Sequence, residues 1–269
     1  MESLVKAVIL AGGEGRRLRP LTYYIQKAMI PIGSLEKPLL EYIVRLLVTN
    51  GIKDIVVLLG YKGGQVVNYF GDGSRLGARI SYSFDDENYR GSGGALLKSY
   101  LNGLLSDAND VLVYYGDILA DLDLRRLIEH HRTTNADATL LVTRGYQVPV
   151  GIASVDEDGR ILELKEKPWL PVNATIGILM LKTRVIELLR EIHKGSTDIM
   201  GDFIPYLIKR GLLVKAFVYE GKWYDIGSIE RYEKIDKNWL EELTRKLFSD
   251  DFEYINLLAT PNPQYKKQS

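Results

Sequence analysis

Cysteine is absent from the 269 residues, which excludes disulfides, thiolate nucleophiles and cysteine-ligated metal. Histidine is nearly absent too. Only His130, His131 and His193 occur, so chemistry built on imidazole is not expected, and the His130-His131 pair reads as surface rather than as ligands. No apolar run approaches the roughly 20 residues of a membrane span. The run at residues 7–11 is short and is followed by glycines and arginines, which suits a buried strand better than a signal peptide. Neither sign of charge dominates, because Lys+Arg and Asp+Glu both number 35. There is thus no global pull toward nucleic acid or a membrane, and any site for a polyanion must be local. No Pro-, Gly- or Ser-rich linker divides the chain, and no hexapeptide repeat announces an appended β-helix. The expectation is a soluble, cytoplasmic protein with neither nucleic-acid nor membrane partners.

What is present is patterned. Strand patterns at residues 5–11, 54–59, 79–84, 111–115 and 138–143 alternate with helical spacing at 37–49, 64–70, 92–105 and 123–134. Such alternation predicts an α/β fold, doubly wound around a mostly parallel sheet, with ligands at the carboxyl ends of the strands. The second half differs. Residues 150–181 hold several short strand patterns around a turn at Asp158-Gly159. Helical patterns from Thr183 and Gly201, a strand at 213–219 and a last helix from Ser228, capped by its hydroxyl, follow. The expected organisation is a main domain over residues 1–240 and a helical, then irregular, tail over 241–269. The part of that tail from Ala259, polar and with two prolines, is expected to be loosely ordered.

The first strand runs directly into Gly12-Gly13-Glu14-Gly15-Arg16-Arg17-Leu18-Arg19-Pro20-Leu21-Thr22. Glycines let a backbone approach a phosphate closely and turn successive N–H groups toward it. Arginines in the same loop add charge-assisted hydrogen bonds to phosphate oxygens. This is neither the G-x-G-x-x-G of dinucleotide folds nor a P-loop, since no Gly-Lys-[Ser/Thr] opens a helix. A structural strand–helix turn is the plain alternative. The arginines inside the loop favour phosphate.

At this point the chain resembles the sugar-phosphate nucleotidylyltransferases. Their pattern L-A-G-G-x-G-x-R-L-x-P-L-T, P-K-x-M-x-P and K-P-x-L-E-Y is matched by Leu10 to Thr22, by Gln26-Lys27-Ala28-Met29-Ile30-Pro31, and by Lys37-Pro38-Leu39-Leu40-Glu41-Tyr42. The resemblance continues to Gly227 and covers most of the chain. It implies a Rossmann-like nucleotide-diphospho-sugar transferase fold over the main domain. The implied reaction joins an NTP and a sugar 1-phosphate to give an NDP-sugar and pyrophosphate.

Particular residues take implied roles. Arg17 would stabilise the NTP phosphates and Lys27 would stand near the reacting α-phosphate. Gly12, Gly13, Gly15 and Gly91 (in Gly91-Ser92-Gly93-Gly94) would approach the nucleotide, although Ser92 alone could simply cap a helix. Asp117 of Tyr115-Gly116-Asp117 and Asp225 of Trp223-Tyr224-Asp225-Ile226-Gly227 would hold Mg²⁺, which favours one or two carboxylates plus phosphate oxygens. Gly151, Glu166 and Lys167 (of Glu166-Lys167-Pro168) and Gly177 would bind the sugar phosphate.

There are also departures. Gln26 stands where the pattern has proline, Arg90 where it has leucine, and Asp85-Asp86-Glu87-Asn88 lacks the glutamine of many thymidylyltransferases. Base and sugar therefore stay open. Glucose 1-phosphate with UTP or dTTP is the leaning, and mannose 1-phosphate with GTP is compatible. A catalytically silent regulatory module would be expected to lose the charged set, which is retained here. Homo-oligomers are common among such enzymes.

Overall fold

The computed structural model describes residues 4–148 and 150–252. The chain opens with β1 (Val5–Ala11), a run of short 3-10 turns and the two-residue strands β2 (Pro31–Ile32) and β3 (Lys37–Pro38). There follow α1 (Leu39–Thr49), β4 (Asp54–Leu59), α2 (Gly63–Phe70), β5 (Arg79–Phe84), α3 (Gly91–Leu101), β6 (Asp110–Tyr115), β7 (Ile118–Ala120), α4 (Leu124–Thr133) and β8 (Ala138–Gln147). The second half contributes β9 (Ile152–Val155), β10 (Ile161–Lys165), β11 (Trp169–Lys182), α5 (Thr183–Ile186), α6 (Leu189–Ile192) and α7 (Ile204–Lys209). It ends with β12 (Val214–Tyr219), β13 (Trp223–Asp225), α8 (Ile229–Glu233) and α9 (Lys237–Leu247).

Seven strands form one sheet in the order β12-β8-β11-β6-β1-β4-β5. Neighbours β6, β1, β4 and β5 are parallel, as are β8 and β12, while β11 runs antiparallel to both β6 and β8. The sheet is thus mostly parallel, as the strand–helix alternation predicts. Its central strands are covered on both faces: Ala7, Val8, Ile9, Val111, Leu112, Val113 and Tyr114 are fully buried. That is why β1 and β6 read as unbroken apolar runs rather than as alternating ones. No helix among the described residues is long and apolar enough to cross a membrane. The described residues contain no β-helix.

The second half departs from a series of short strands. β9 and β10 make an exposed hairpin. β11 is a single strand of 14 residues whose inner half is buried and whose outer half projects past the sheet. Because β11 is antiparallel and Ile178 pairs with Tyr114, its N-terminal end overhangs the carboxyl edge of β6. β8 likewise continues to Gln147, paired with Trp169, beyond the expected end at residue 143. Helix α1 begins at Leu39 with Pro38 as its N-cap, two residues after the start of the helical spacing at 37. The helical pattern from Gly201 starts earlier, as a π-helical turn over Ile199–Phe203 capped by Asp198.

His131 corrects the surface reading. It is 1% exposed and its Nδ1 lies 2.8 Å from Thr139 Oγ1. The helical period alone could not tell which face of α4 meets β8. Of the expected tail, residues 241–252 are described: they complete α9 and add a helical segment over 249–252. Here Thr244 meets the Tyr42 hydroxyl at 2.8 Å and the Phe248 ring stands 4.6 Å from that of Tyr42. The polar segment from Ala259 lies outside the described residues.

Candidate active site

The carboxyl edge of the sheet carries two adjoining cavities. The smaller, about 370 Å³, is lined by residues at the ends of β1 and β6, the start of α3 and the Lys27 turn. The larger, about 960 Å³, lies between the overhang of β11 and the β7–β13 ribbon. Tyr115 and Asp117 border both, so the end of β6 is the wall between them.

Gly12 and Gly13 line the smaller cavity directly after β1. Gly12 leaves room for Asp85, whose carboxylate oxygens would lie 3.2 Å from a Cβ at that position. Gly15 has φ +62°, and a Cβ there would press on Thr22 Cγ2 at 2.9 Å and Lys27 Cβ at 3.2 Å. A side chain at residue 15 would therefore push the glycine loop off the Lys27 turn. Among the loop arginines, Arg16 and Arg19 are paired with Glu14, at 2.7 and 3.4 Å, and the Arg16 guanidinium holds the Glu14 carboxyl below its usual range. Arg17 makes no such pair among the described residues. Its Nη2 instead lies beside Gly227: a Cβ there would stand 3.0 Å from Arg17 Nη2 and 2.6 Å from Asp225 Oδ1. The glycine of Trp223-x-Asp225-x-Gly227 is thus the gap through which Arg17 approaches Asp225.

Asp117 and Asp225, 108 positions apart in the chain, are neighbours in the fold. Asp225 pairs with Ile118 across the β7–β13 ribbon, and the Ile226 N–H donates to the Asp117 carbonyl at 2.8 Å. Lys27 Nζ donates to Asp117 Oδ2 at 2.5 Å, with the lysine 15% and the aspartate 26% exposed. Arg231 pairs with Asp225 Oδ2, which leaves the buried Asp225 Oδ1 with no hydrogen-bond partner among the described residues. The described residues hold no group of three or more metal-capable side chains. A cation here would have these two carboxylates and would take its other ligands from a bound molecule, which is how Mg²⁺ is usually held beside phosphates.

The sugar-side expectations divide. Lys167 and Gly177 border the larger cavity together with Asp225. Lys167 sits at φ +43° before a proline, a conformation uncommon for a side-chain-bearing residue and frequent at functional sites. Gly177 has φ +74° and packs where a Cβ would touch Tyr115 Cβ at 3.1 Å. Glu166 and Gly151 meet each other, with Glu166 Oε2 3.0 Å from the position of a Gly151 Cβ, but both are exposed, flank the open end of the hairpin and line neither cavity. Gly91, at φ +77° with Thr197 O 2.4 Å from where its Cβ would be, borders the smaller cavity at the start of α3. Ser92 does not cap that helix. Arg90 occupies the cap, and the Ser92 hydroxyl donates to Asp198 Oδ2 at 2.7 Å.

Several lining residues carry no role in the sequence reading, among them the charged Asp85, Glu230, Arg231 and Lys234. Asp85 stands in the smaller cavity between the Gly12 and Gly60 backbones, where partial burial raises its carboxyl above the usual range and Lys98 opposes the shift. Arg231 and Lys234 bring cations to the larger cavity, each paired with a carboxylate that also lines it, Asp225 and Glu230 respectively. The only signal for the two cations is helical spacing after the Ser228 cap.

Comparison with known proteins bears on this arrangement. The family described as "Nucleotidyl transferase" matches residues 6–242. The UTP–glucose-1-phosphate uridylyltransferase of Synechocystis sp. is 36% identical over 245 residues, covering 85% of this chain and 61% of its own. The mannose-1-phosphate guanylyltransferase of Mycobacterium tuberculosis is 32% identical over 234 residues, covering 85% and 62% respectively. The chain thus spans about three fifths of the length of these relatives. A Bacillus anthracis protein solved in complex with a sucrose superimposes with a TM-score of 0.71 at 25% identity, covering 88% of this chain and 96% of that one.

Proposed function

Because this chain belongs to the nucleotidyl transferase family, we propose that it joins an NTP to a hexose 1-phosphate, giving an NDP-sugar and pyrophosphate. The observation that carries the reading is the meeting of Lys27, Asp117, Arg17 and Asp225 at the carboxyl edge of the sheet, between a cavity bordered by the glycine loop and one bordered by Lys167. In this reading the NTP lies in the smaller cavity and the sugar phosphate in the larger.

An oxygen of the sugar phosphate attacks the α-phosphorus, forming a new P–O bond, and the bond to the β-phosphate breaks to release pyrophosphate. The attacking oxygen is already anionic, so no side-chain base is needed. The obstacle is repulsion between two anions, which fixed cations offset most effectively as charge shifts in the transition state. Lys27 would serve the α-phosphate, Arg17 the departing phosphates and Lys167 the sugar phosphate. Enzymes of this family generally use a divalent metal. Mg²⁺ is the proposed ion, held by Asp117 and Asp225, where it would supply Lewis-acid charge. The buried, unpartnered Asp225 Oδ1 supports that placement. Lys27 also fixes the Asp117 carboxylate, and Arg231 that of Asp225, so neither must reorganise to receive the substrate.

Glucose 1-phosphate with UTP or dTTP is the proposed substrate pair, supported by the 36% identity to the Synechocystis uridylyltransferase. Mannose 1-phosphate with GTP is the second reading, favoured by the mycobacterial relative. These substrates are water-soluble metabolites, and the cytoplasm is the proposed site of the reaction. The test is pyrophosphate release with Mg²⁺ across a grid of NTPs and hexose 1-phosphates. One pair turning over well above the rest assigns reaction and substrate together. No release from any pair, in a folded sample, favours a silent regulatory module instead.

A further inference from the structure

The turn that carries Lys27 is held by the residue before it. Gln26 is only 1% exposed, yet it borders the smaller cavity. Its φ of −64° is the value a proline ring would impose, and proline is what the family pattern has at this place. Here hydrogen bonds supply the restraint. Gln26 Oε1 accepts from the Ala28 N–H at 2.5 Å and caps the short turn Lys27–Met29. Gln26 Nε2 donates to the Ala11 carbonyl at 2.6 Å, the last residue of β1 before the glycine loop. The Gln26 N–H donates to Gln65 Oε1 at 2.7 Å, and Gln65 Nε2 donates to the Tyr24 carbonyl at 2.8 Å.

These bonds do something a proline cannot. A ring fixes φ, but it does not reach Ala11 and it has no N–H for Gln65. The carboxamide joins the Lys27 turn to the end of β1, so the lysine and the phosphate loop move as one body.

We propose that Gln26 is a positioning residue, its carboxamide holding the Lys27 ammonium in register with Gly12-Gly13 and Asp117 so that the cation meets the reacting phosphate. The proposal rests on the reading of Lys27 given above. Displacing a catalytic group by about 1 Å can lower a rate by about a hundredfold. Triphosphate binding is spread over loop N–H groups and Arg17, so loss of the brace falls on kcat more than on KM.

The experiment measures pyrophosphate release for Gln26→Ala, Gln26→Pro, Gln65→Ala and Lys27→Ala, using the best substrate pair from the grid. Gln26→Ala is expected to lower kcat by about ten- to a hundredfold, with the KM for NTP within about threefold of the parent. Gln26→Pro, which keeps φ but lacks the carboxamide and the N–H, should stay impaired, with kcat at least about fivefold below the parent. Should Gln26→Ala fail to fold, Gln65→Ala carries the test, with kcat expected to fall by about three- to tenfold. An unchanged kcat in Gln26→Ala, or in Gln65→Ala where that variant stands in, beside an inactive Lys27→Ala, overturns the positioning role. So does a Gln26→Pro whose kcat matches the parent, because fixing φ would then be enough without the carboxamide. An active Lys27→Ala would instead remove the reading of Lys27 on which the proposal stands.

Discussion

Replacing Gly13 by alanine separates phosphate binding from stability more cleanly than any other change at the site. No heavy atom outside the adjoining residues lies within 4 Å of where its Cβ would be, and its φ falls outside the positive range that side chains avoid. The folded state therefore accepts the methyl without a clash. Loss of the glycine's freedom in the unfolded chain adds about 0.4–1 kcal/mol of stability. For a chain of this size the melting temperature should stay level or rise by up to about 4 °C. Binding should respond in the opposite direction. If the Gly12-Gly13 backbone lies against the triphosphate, the methyl occupies the place of a phosphate oxygen and breaks a charge-assisted contact. Such a contact contributes about 1.5–3 kcal/mol, so NTP affinity should fall by about ten- to a hundredfold. Thermal melts of the free protein and calorimetric titration of NTP with Mg²⁺ read the two effects separately. An affinity within twofold of the parent, with stability unchanged, would refute the phosphate cradle.

Two further outcomes are expected. Asp225→Ala should lower turnover by at least about a hundredfold while the protein still melts cooperatively; full activity in this variant would remove Asp225 from the metal assignment. Stability should also fall as the pH drops from about 8 to 5.5, because burial depresses the pKa of His131, with Asp110 opposing the shift. The unfolded chain then binds a proton that the folded chain resists. The stability His131 lends is full above the ordinary histidine range and is lost as the pH falls through it toward the lower folded value. The slope reaches at most about 1.4 kcal/mol per pH unit for one proton, and replacing His131 by asparagine should flatten the melting-temperature profile over that range. An unaltered profile would show that other groups set it.

The sequence was legible where burial is two-sided or a motif is contiguous. Residues 5–11, 54–59 and 79–84 are strands to the residue, the first two because near-continuous apolar runs fill a covered sheet. The outer half of β11 was not legible as one strand. Exposed Trp169 and Val172 and half-buried Leu170, with Pro171 between them, follow no one-sided alternation, since that segment packs against no second layer. At the site, the resemblance points to Lys27, Asp117 and Asp225, and the fold brings them together. It could not disclose why Arg17 differs from its neighbours, because that depends on Glu14 occupying Arg16 and Arg19. Nor could it show how Gln26 does without the proline, because its partner Gln65 comes from another element 39 residues away. Contacts closed by the fold leave no local pattern.

The division of β11 into a buried inner half and a projecting outer half has a consequence for engineering. From Ile176 inward the strand belongs to the core, whereas the hairpin and the outer strand before it are largely exposed, and the outer strand borders the larger cavity. Residues 150–174 therefore form a cassette whose exchange disturbs little of the interior. A chimera carrying a relative's equivalent segment should melt within a few degrees of the parent. Any change in its sugar preference could then be credited to the transplanted piece, so one scaffold could be fitted with different acceptor ends.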